Sequence, residues 1–207
     1  MSTSRVSGVG FDGARFDAEA KVTGEARYPA DAVPADALHA IAVFSNEPHA
    51  RMTAMSTEEA EAVDGVVVVL TAEDVPVNEY GLTKTDQPVL VGLNDTGRSE
   101  VPSDVSRWEA DHVAVIVAET VEAAREAAAR LAIEWEQLPL VETVEAARAD
   151  DVLLHPNEGS NVYNPLRIRK GDIDSGWAQA DVVIEDTYEL PHQEHAFLQV
   201  ESATAWI

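Results

Sequence analysis

Two histidines near the end of the sequence, His192 and His195 in the segment HQEHAFL, are the first candidates for chemistry. Histidines three residues apart can lie on one face of a helix and bind a metal ion together. The residues around them, PHQEHAFLQV, are not typical of a helix, and no third ligand is evident. The sequence therefore favours histidines that pack or that support a neighbouring site.

A group of carboxylates precedes this segment, formed by Asp172, Asp174, Asp181, Glu185 and Asp186. Paired carboxylates can perform general acid–base catalysis. In so acidic a chain they are better explained as surface charges and as residues at the start of a helix, where backbone N–H groups favour negative charge. We predict a helix over residues 172–180.

Phosphate-binding and nucleophilic motifs are weak or missing. Residues 8–13, GVGFDG, have the spacing G-x-G-x-x-G, but no strand precedes them and no amphipathic helix clearly follows, so they do not predict a dinucleotide site. The chain has no cysteine, which excludes disulfides, thiolate metal sites and a cysteine nucleophile within it. Any redox chemistry must therefore use a cofactor that other groups hold.

The chain is strongly acidic, with 38 Asp and Glu against 14 Lys and Arg and a formal net charge of −24. Such a charge repels nucleic acids and anionic membrane surfaces, so both are disfavoured as partners. No apolar run is long enough to span a membrane, and the first residues lack the apolar core of a secretory signal. We predict a cytoplasmic protein.

The elements that must position these residues form two β-α-β units. The first contains predicted strands at 37–45, 51–56 and 66–71, with a short helix at 57–63. Ser56 and Glu59 have the spacing of a capping box for this helix, and Gly65 is a predicted helix stop.

The second unit contains a strand at 112–119, a helix at 121–131 capped by Thr120, and a strand at 132–138. Residues 76–104 between the units are predicted to be a long loop that docks against other parts of the protein. After Pro139 we predict a helical linker at 141–150, an irregular stretch and a strand at 182–190. The elements predict an α+β protein with a domain boundary near 145–155.

Four segments carry a resemblance to a known family: KVTGEARYPAD (21–31), NEPHARM (46–52), GVVVVLTAEDVP (65–76) and DHVAVIVAETVEAAREAA (111–128). In order and spacing they resemble the start of the molybdenum-binding large subunit of the xanthine dehydrogenase and aldehyde oxidase family. The resemblance implies a hammerhead-like α/β domain over residues 17–145. It also implies the truncated start of a molybdopterin-binding domain over residues 150–207, marked by ADVVIEDTYE and QEHAFL.

The resemblance assigns Gln193 a place beside the molybdenum centre, in contact with the cofactor. A neutral amide suits that place because it offers two N–H donors and one carbonyl without adding charge. Phe197 and Leu198 would then enter the core. The sequence departs from the family at Gln199, where Glu is common, and Glu201 follows two residues later. Which carboxylate anchors the segment is therefore left open by the resemblance.

The resemblance also implies partners. The family's pterin-binding loops and catalytic glutamate lie beyond the QEH segment, so we expect a fragment, a truncated reading frame or one part of a split subunit that is inactive alone. The remainder of the large subunit would complete it, and other chains or regions would carry iron–sulfur clusters and FAD. The small-molecule substrate would be a purine or a related heteroaromatic compound or aldehyde.

Two other functions remain open at the level of sequence. One is a stand-alone module for subunit assembly, without catalysis. The other is an acidic hydrolase or lyase, which would require Asp172, His192 and His195 to share one pocket.

The dispersed carboxylates generate the first prediction. Lysine occurs only at Lys21, Lys84 and Lys170, a pattern typical of proteins in concentrated salt, although an ordinary acidic subunit is the alternative. We expect the midpoint of thermal unfolding to be higher in molar KCl than in dilute buffer, because salt screens repulsion between the carboxylates. Thermal melts in the two solutions measure this, and equal midpoints would contradict a halophilic origin.

Overall fold

The computed structural model describes residues 15–82, 84–93, 102–191, 193–196 and 202–206. Packing divides the chain into two compact units. One is Leu38–Ala180, and the other combines Met1–Ala37 with Asp181–Ile207. Within the described ranges, no helix is both long and apolar enough to cross a membrane.

The described residues of the Leu38–Ala180 unit form two antiparallel sheets of three strands each. The strand orders are β1-β5-β3 in the first sheet and β4-β2-β6 in the second. The strands are β1 (His39–Phe44), β2 (Ala50–Ser56), β3 (Val66–Leu70), β4 (Val105–Ser106), β5 (His112–Ala118) and β6 (Ala132–Gln137).

Strand β5 lies at the centre of the first sheet and pairs with β1 on one side and β3 on the other. Its sequence HVAVIVA is rich in β-branched residues, which suit a strand buried on both faces. Helices α2 (Glu58–Glu61) and α3 (Val121–Arg130) pack against this sheet through fully buried alanines. The small side chains allow the helices to approach the strands closely. The buried residues of this core are Ala60, Val63, Val69, Ala114, Ile116, Ala118, Ala124 and Ala127.

A second, smaller core lies between the sheets, where Met52 of β2 and Val113 of β5 are buried together with Val91. Val91 belongs to the long loop, and its N–H donates to the carbonyl of His112 at 2.7 Å. The loop therefore docks against the core of its own unit. In its described residues the loop has little regular structure, as predicted, apart from a bridge between Tyr80 and Gln87.

The predicted strands of both β-α-β units are present, with ends that shift by at most two residues. The sequence did not indicate β4, or which strands pair. Strand β2 pairs with β6, whereas β1 and β3 both pair with β5. The first β-α-β unit therefore has β1 and β3 in one sheet and β2 in the other, and the second has β5 and β6 in different sheets. The two β-α-β units therefore share both sheets instead of forming one sheet each.

One of the two predicted caps in these units is confirmed. Thr120 accepts a hydrogen bond from the N–H of Ala123 at 3.1 Å at the start of α3. The capping box at Ser56 is wrong, because Ser56 is the last residue of β2 and pairs there with Ala132. Thr57 takes the cap position of α2 instead, without a cap hydrogen bond to the helix backbone.

Two further helices follow in this unit, α4 (Val144–Ala149) and α5 (Ile173–Gln179). They confirm the helices predicted over 141–150 and 172–180. Asp172 is the N-cap of α5 and accepts a hydrogen bond from the N–H of Ser175 at 3.1 Å. The role predicted for this carboxylate, at a helix start, is therefore confirmed.

In the described part of the other unit, the first helix is α1 (Ala18–Thr23), which ends at Gly24 with φ of 78°. The strand predicted over 182–190 is wrong, because these residues are irregular and exposed. A strand requires a neighbour for its N–H and C=O groups, and none is present in the described part of this unit. The apolar side chains exposed there include Val182, Val183, Ile184, Tyr188 and Leu190.

A buried amide holds the long loop and generates the second prediction. The side chain of Asn78 is fully buried. It donates to the carbonyl of Leu90 and accepts from the N–H of Leu90, both at 2.8 Å, so it pairs with this residue as a neighbouring strand would. We expect Asn78→Ala to lower the free energy of unfolding by about 2–4 kcal/mol, because two buried backbone groups lose their partners. Urea unfolding measures the change.

Gln137→Ala is the matched control, because the amide of Gln137 bonds Glu47 at the exposed surface. We expect this variant to lose less than about 1 kcal/mol. Equal losses in the two variants would show that Asn78 does not clamp the loop.

Candidate functional site

Gln193 lies in an irregular, exposed segment together with Glu194, His195 and Ala196. The carboxylate of Glu194 accepts hydrogen bonds from the N–H groups of His195 at 2.8 Å and Ala196 at 3.4 Å. Ala196 has a left-handed backbone with φ of 49°, so the carboxylate braces a sharp turn. Within the described part of the chain the amide of Gln193 makes no hydrogen bond, which leaves its donors available.

The remaining histidine and carboxylate candidates do not form a site among the described residues. His192 lies outside them, as do Phe197, Leu198, Gln199 and Glu201. No group of three His, Asp or Glu side chains within the described ranges could hold a metal ion. Asp172 is exposed and is used as a helix cap. The hydrolase alternative therefore gains no support.

A polar cluster that the sequence did not indicate is centred on Arg107, directly after β4. Its guanidinium donates to three backbone carbonyls, those of Leu154 at 2.6 Å, Val105 at 2.9 Å and Pro102 at 3.3 Å. The carboxylate of Asp111 accepts from the backbone N–H of Arg107 at 2.7 Å. Burial lowers the pKa of Arg107 and the nearby Asp111 opposes this shift, and the guanidinium stays charged as arginine does in proteins.

His155 lies beside this guanidinium, in a pocket of about 150 Å³. Its Nδ1 is buried and has no hydrogen-bond partner in the part of the chain that the structure describes. Burial lowers the pKa of His155, and the positive charge of Arg107 lowers it further. The pocket is lined by Gln87, Pro88, Arg107, Trp108, Asp111 and His155.

The pocket can hold one small polar group between a neutral imidazole and a charged guanidinium. Its lining contains no hydroxyl or thiol nucleophile, and its one carboxylate already binds backbone N–H groups. We therefore assign it no catalysis. The sequence did not indicate this pocket, because RWEAD and LHPN contain no motif. The hydrogen bond between Arg107 and Leu154 also joins residues 47 positions apart.

A larger pocket, of about 340 Å³, lies along the ends of β2 and β3. Two of its carboxylates already have partners inside the fold. Glu61 accepts from the hydroxyl of Thr57, and Asp74 accepts from the N–H of Thr71, both at 2.8 Å. Because these two carboxylates are used in local turns, we assign this pocket no ligand.

Two protein families match the chain, one after the other. Residues 23–139 match the a/b hammerhead domain of aldehyde oxidase and xanthine dehydrogenase. Residues 154–207 match the molybdopterin cofactor-binding domain. The α+β fold class and the hammerhead-like domain predicted from the sequence are thereby confirmed.

Individual relatives agree with these matches. The chain is 34% identical to a probable xanthine dehydrogenase subunit of Bacillus subtilis, over 92% of this chain and 24% of the relative. It is 30% identical to the nicotinate dehydrogenase large molybdopterin subunit of Eubacterium barkeri, over 96% of this chain and 44% of the relative. It thus spans less than half of the length of these relatives.

Among solved structures, the aldehyde oxidoreductase from Desulfovibrio desulfuricans is similar with a TM-score of 0.57 and 30% identity. The similarity covers 71% of this chain and 16% of that one. The similarity supports the α+β fold described above for the part of this chain that aligns with that structure.

The electrostatics of His155 generate the third prediction. A histidine with a lowered pKa binds fewer protons in the folded than in the unfolded state, so its charging opposes folding. We expect the free energy of unfolding to fall as the pH decreases through 6.5, the ordinary pKa of histidine, towards the lower folded value. The variant His155→Gln should lose less stability over this range, because glutamine does not titrate. Urea unfolding at a series of pH values measures the difference.

His39→Gln, at the start of β1, controls for the loss of a histidine as such. Carboxylates titrate in all three proteins, so only the differences between their curves are compared. If the free energy of unfolding of wild type and of His155→Gln changed with pH in parallel, this would contradict a pKa of His155 lowered by burial.

Proposed function

The chain belongs to the aldehyde oxidase and xanthine dehydrogenase family, and we propose that it forms the first part of the molybdenum-binding large subunit of a molybdenum hydroxylase. The observation that carries this proposal is the succession of the two matches, the hammerhead domain at 23–139 and the molybdopterin cofactor-binding domain at 154–207. The proposed domains are residues 17–145 and 150–207.

The proposed reaction is the oxidation of a purine or a related heteroaromatic compound or aldehyde. Relatives named for xanthine dehydrogenase and nicotinate dehydrogenase support a heteroaromatic substrate. When bound, the molybdopterin cofactor supplies the two-electron oxidation of the substrate carbon. Iron–sulfur clusters and FAD would lie on other chains or regions, in line with the absence of cysteine ligands in this chain.

Gln193 is the residue of this chain that we propose to contact the cofactor. Its exposed amide is not engaged by other described residues, and it can donate N–H groups without adding charge. The turn braced by Glu194 fixes the backbone next to it. These features fit a neutral donor beside a metal centre, and the remaining contacts with the cofactor would come from other parts of the large subunit.

Exposed apolar side chains support the proposal that more protein covers this chain. Ile173 and Trp177 on α5 are 71% and 57% exposed, and Ile184 and Leu190 are 82% and 91% exposed. Large exposed apolar surfaces mark sites where other protein binds. We propose that the remainder of the large subunit covers them. The molybdopterin cofactor-binding match at 154–207 is what favours part of an enzyme over a stand-alone assembly module.

The proposal includes a cytoplasmic enzyme in a cell with high internal salt. The net charge of −24 supports this setting, because high salt screens the repulsion between carboxylates.

The fourth prediction tests the function through Gln193. We expect the complete large subunit with its partners to contain molybdenum and to oxidise a purine or another heteroaromatic compound, whereas residues 1–207 alone contain no molybdenum and are inactive. In the complete enzyme, Gln193→Ala should raise the barrier of the chemical step by about 1–3 kcal/mol through loss of one donor. Steady-state kinetics and molybdenum content of each protein measure this.

Gln179→Ala is the matched control, because the amide of Gln179 bonds Ser175 within α5. Unchanged turnover per molybdenum in Gln193→Ala would show that Gln193 is only a loop residue. Molybdenum and activity in the isolated residues 1–207 would contradict the proposal that they are part of a larger catalytic subunit.

A further inference from the structure

The first sheet has an apolar face opposite its helices, here called the outer face. Ile41, Ile116 and Val69 form one row across β1, β5 and β3, and they pack in the core with the buried alanines of α2 and α3. Successive side chains of a strand point to opposite faces of the sheet. The rows on either side of this one therefore form the outer face, and they are Ala40–Val117–Val68 and Ala42–Val115–Leu70.

The six residues of the outer face are all apolar. An antiparallel sheet with one face in water normally carries polar side chains on that face. A quarter of the residues in this chain are charged, yet none of these six positions has a polar side chain. Ala40, Ala42 and Val68 are exposed, while Val115 and Val117 of the central strand are half-buried. The composition of the outer face is therefore that of a surface covered by other protein.

The length of the relatives indicates where this cover comes from. The chain spans 24% of the Bacillus subtilis relative and 44% of the Eubacterium barkeri relative. More than half of such a subunit is thus further protein joined covalently to the region that this chain represents. A joined surface reaches the outer face without the entropy cost of bringing two separate molecules together.

A second copy of the chain is a less favourable cover. Each copy has a formal net charge of −24, so two copies repel each other. The outer face contains no charged or polar side chain that could offset this repulsion or pair with a charged partner. The surface that covers it is therefore expected to be apolar as well.

We propose that the outer face is an interface inside the complete large subunit, covered by an apolar surface from the part of that subunit outside residues 1–207. The inference rests on the proposed function, which makes this chain one part of a larger subunit. It assigns a partner surface to the sheet of the hammerhead domain itself. The small side chains of Ala40 and Ala42 allow the covering surface to approach β1 closely.

The fifth prediction uses the absence of cysteine from this chain, because a single introduced thiol then reports the accessibility of its position. Ala42→Cys places the thiol on the outer face. Ala129→Cys is the matched control, because Ala129 is an exposed alanine on α3, next to the charged side chain of Arg130. Both variants are made in residues 1–207 and in the complete large subunit, which is labelled first alone and then with its partner chains.

We expect N-ethylmaleimide to label the two variants of residues 1–207 at rates within about three-fold of each other, because both positions are exposed. In the complete large subunit alone, labelling of Ala42→Cys should be at least about 10-fold slower, because reagent reaches a covered thiol only when the interface opens. Labelling of Ala129→Cys should not change. Mass spectrometry of the peptides that contain positions 42 and 129 measures the rates and separates these thiols from others in the subunit.

Equal labelling of Ala42→Cys in residues 1–207 and in the complete large subunit would overturn the inference. Slow labelling already in residues 1–207 would also overturn it, and a rate that falls with rising protein concentration would identify a second copy as the cover. Protection that appears only after partner chains are added would assign the cover to another chain and overturn it as well.

If Ala42→Cys does not fold, Ala40→Cys tests the same face by the same measurement. A complete large subunit without molybdenum or activity would instead contradict the proposed function. The labelling rates require neither molybdenum nor turnover, so they would still decide whether the outer face is covered.

Discussion

The burial of strand β5 on both faces and both edges is the constraint on which the rest of the structure depends. Its backbone groups bond to β1 on one side and β3 on the other. Its side chains enter two cores, Ile116 under the helices and Val113 between the sheets. Fully burying one such side chain stabilises a fold by about 1.5–3 kcal/mol, so the strand anchors the helices, both sheets and the long loop.

This arrangement explains why some of the fold could be predicted from the sequence. The apolar run of β5 and the alternation in β6 have the period of strands, and Thr120 followed by an alanine-rich segment is typical of a capped helix. Pairing between strands that are distant in the chain has no such local signal. The sheets shared by the two β-α-β units and the two-residue strand β4 therefore became evident only from the tertiary structure.

For the candidate site, Gln193 stays a prediction from the sequence. The family resemblance pointed to Gln193, whose chemistry is that of its own side chain and its immediate neighbours. The roles of Asn78 and Arg107 depend on backbone groups 12 and 47 residues away, and the residue types around them are ordinary for loops. Each of these roles belongs to a single polar side chain that bonds a distant backbone group. Such a residue has no characteristic spacing from its partner, so a sequence pattern does not reveal it.

A comparison of β5 with residues 182–190 shows what the rest of the large subunit is proposed to supply. HVAVIVA and VVIEDTYEL are both rich in β-branched residues, yet within the part of the chain that the structure describes only the first has partner strands and becomes a strand. Propensity for β-structure is expressed when neighbours are present to bond and cover the residues. Leu38–Ala180 is therefore organised around its own cores, whereas residues 182–190 are a segment that we propose needs a partner surface.

Amide hydrogen exchange of residues 182–190, in the isolated chain and in the complete large subunit, tests this claim most directly. We expect rapid exchange of these amides in the isolated chain and strong protection in the complete subunit, with β5 protected in both. Rapid exchange of residues 182–190 in the complete subunit, or loss of protection of β5 in the isolated chain, would contradict it.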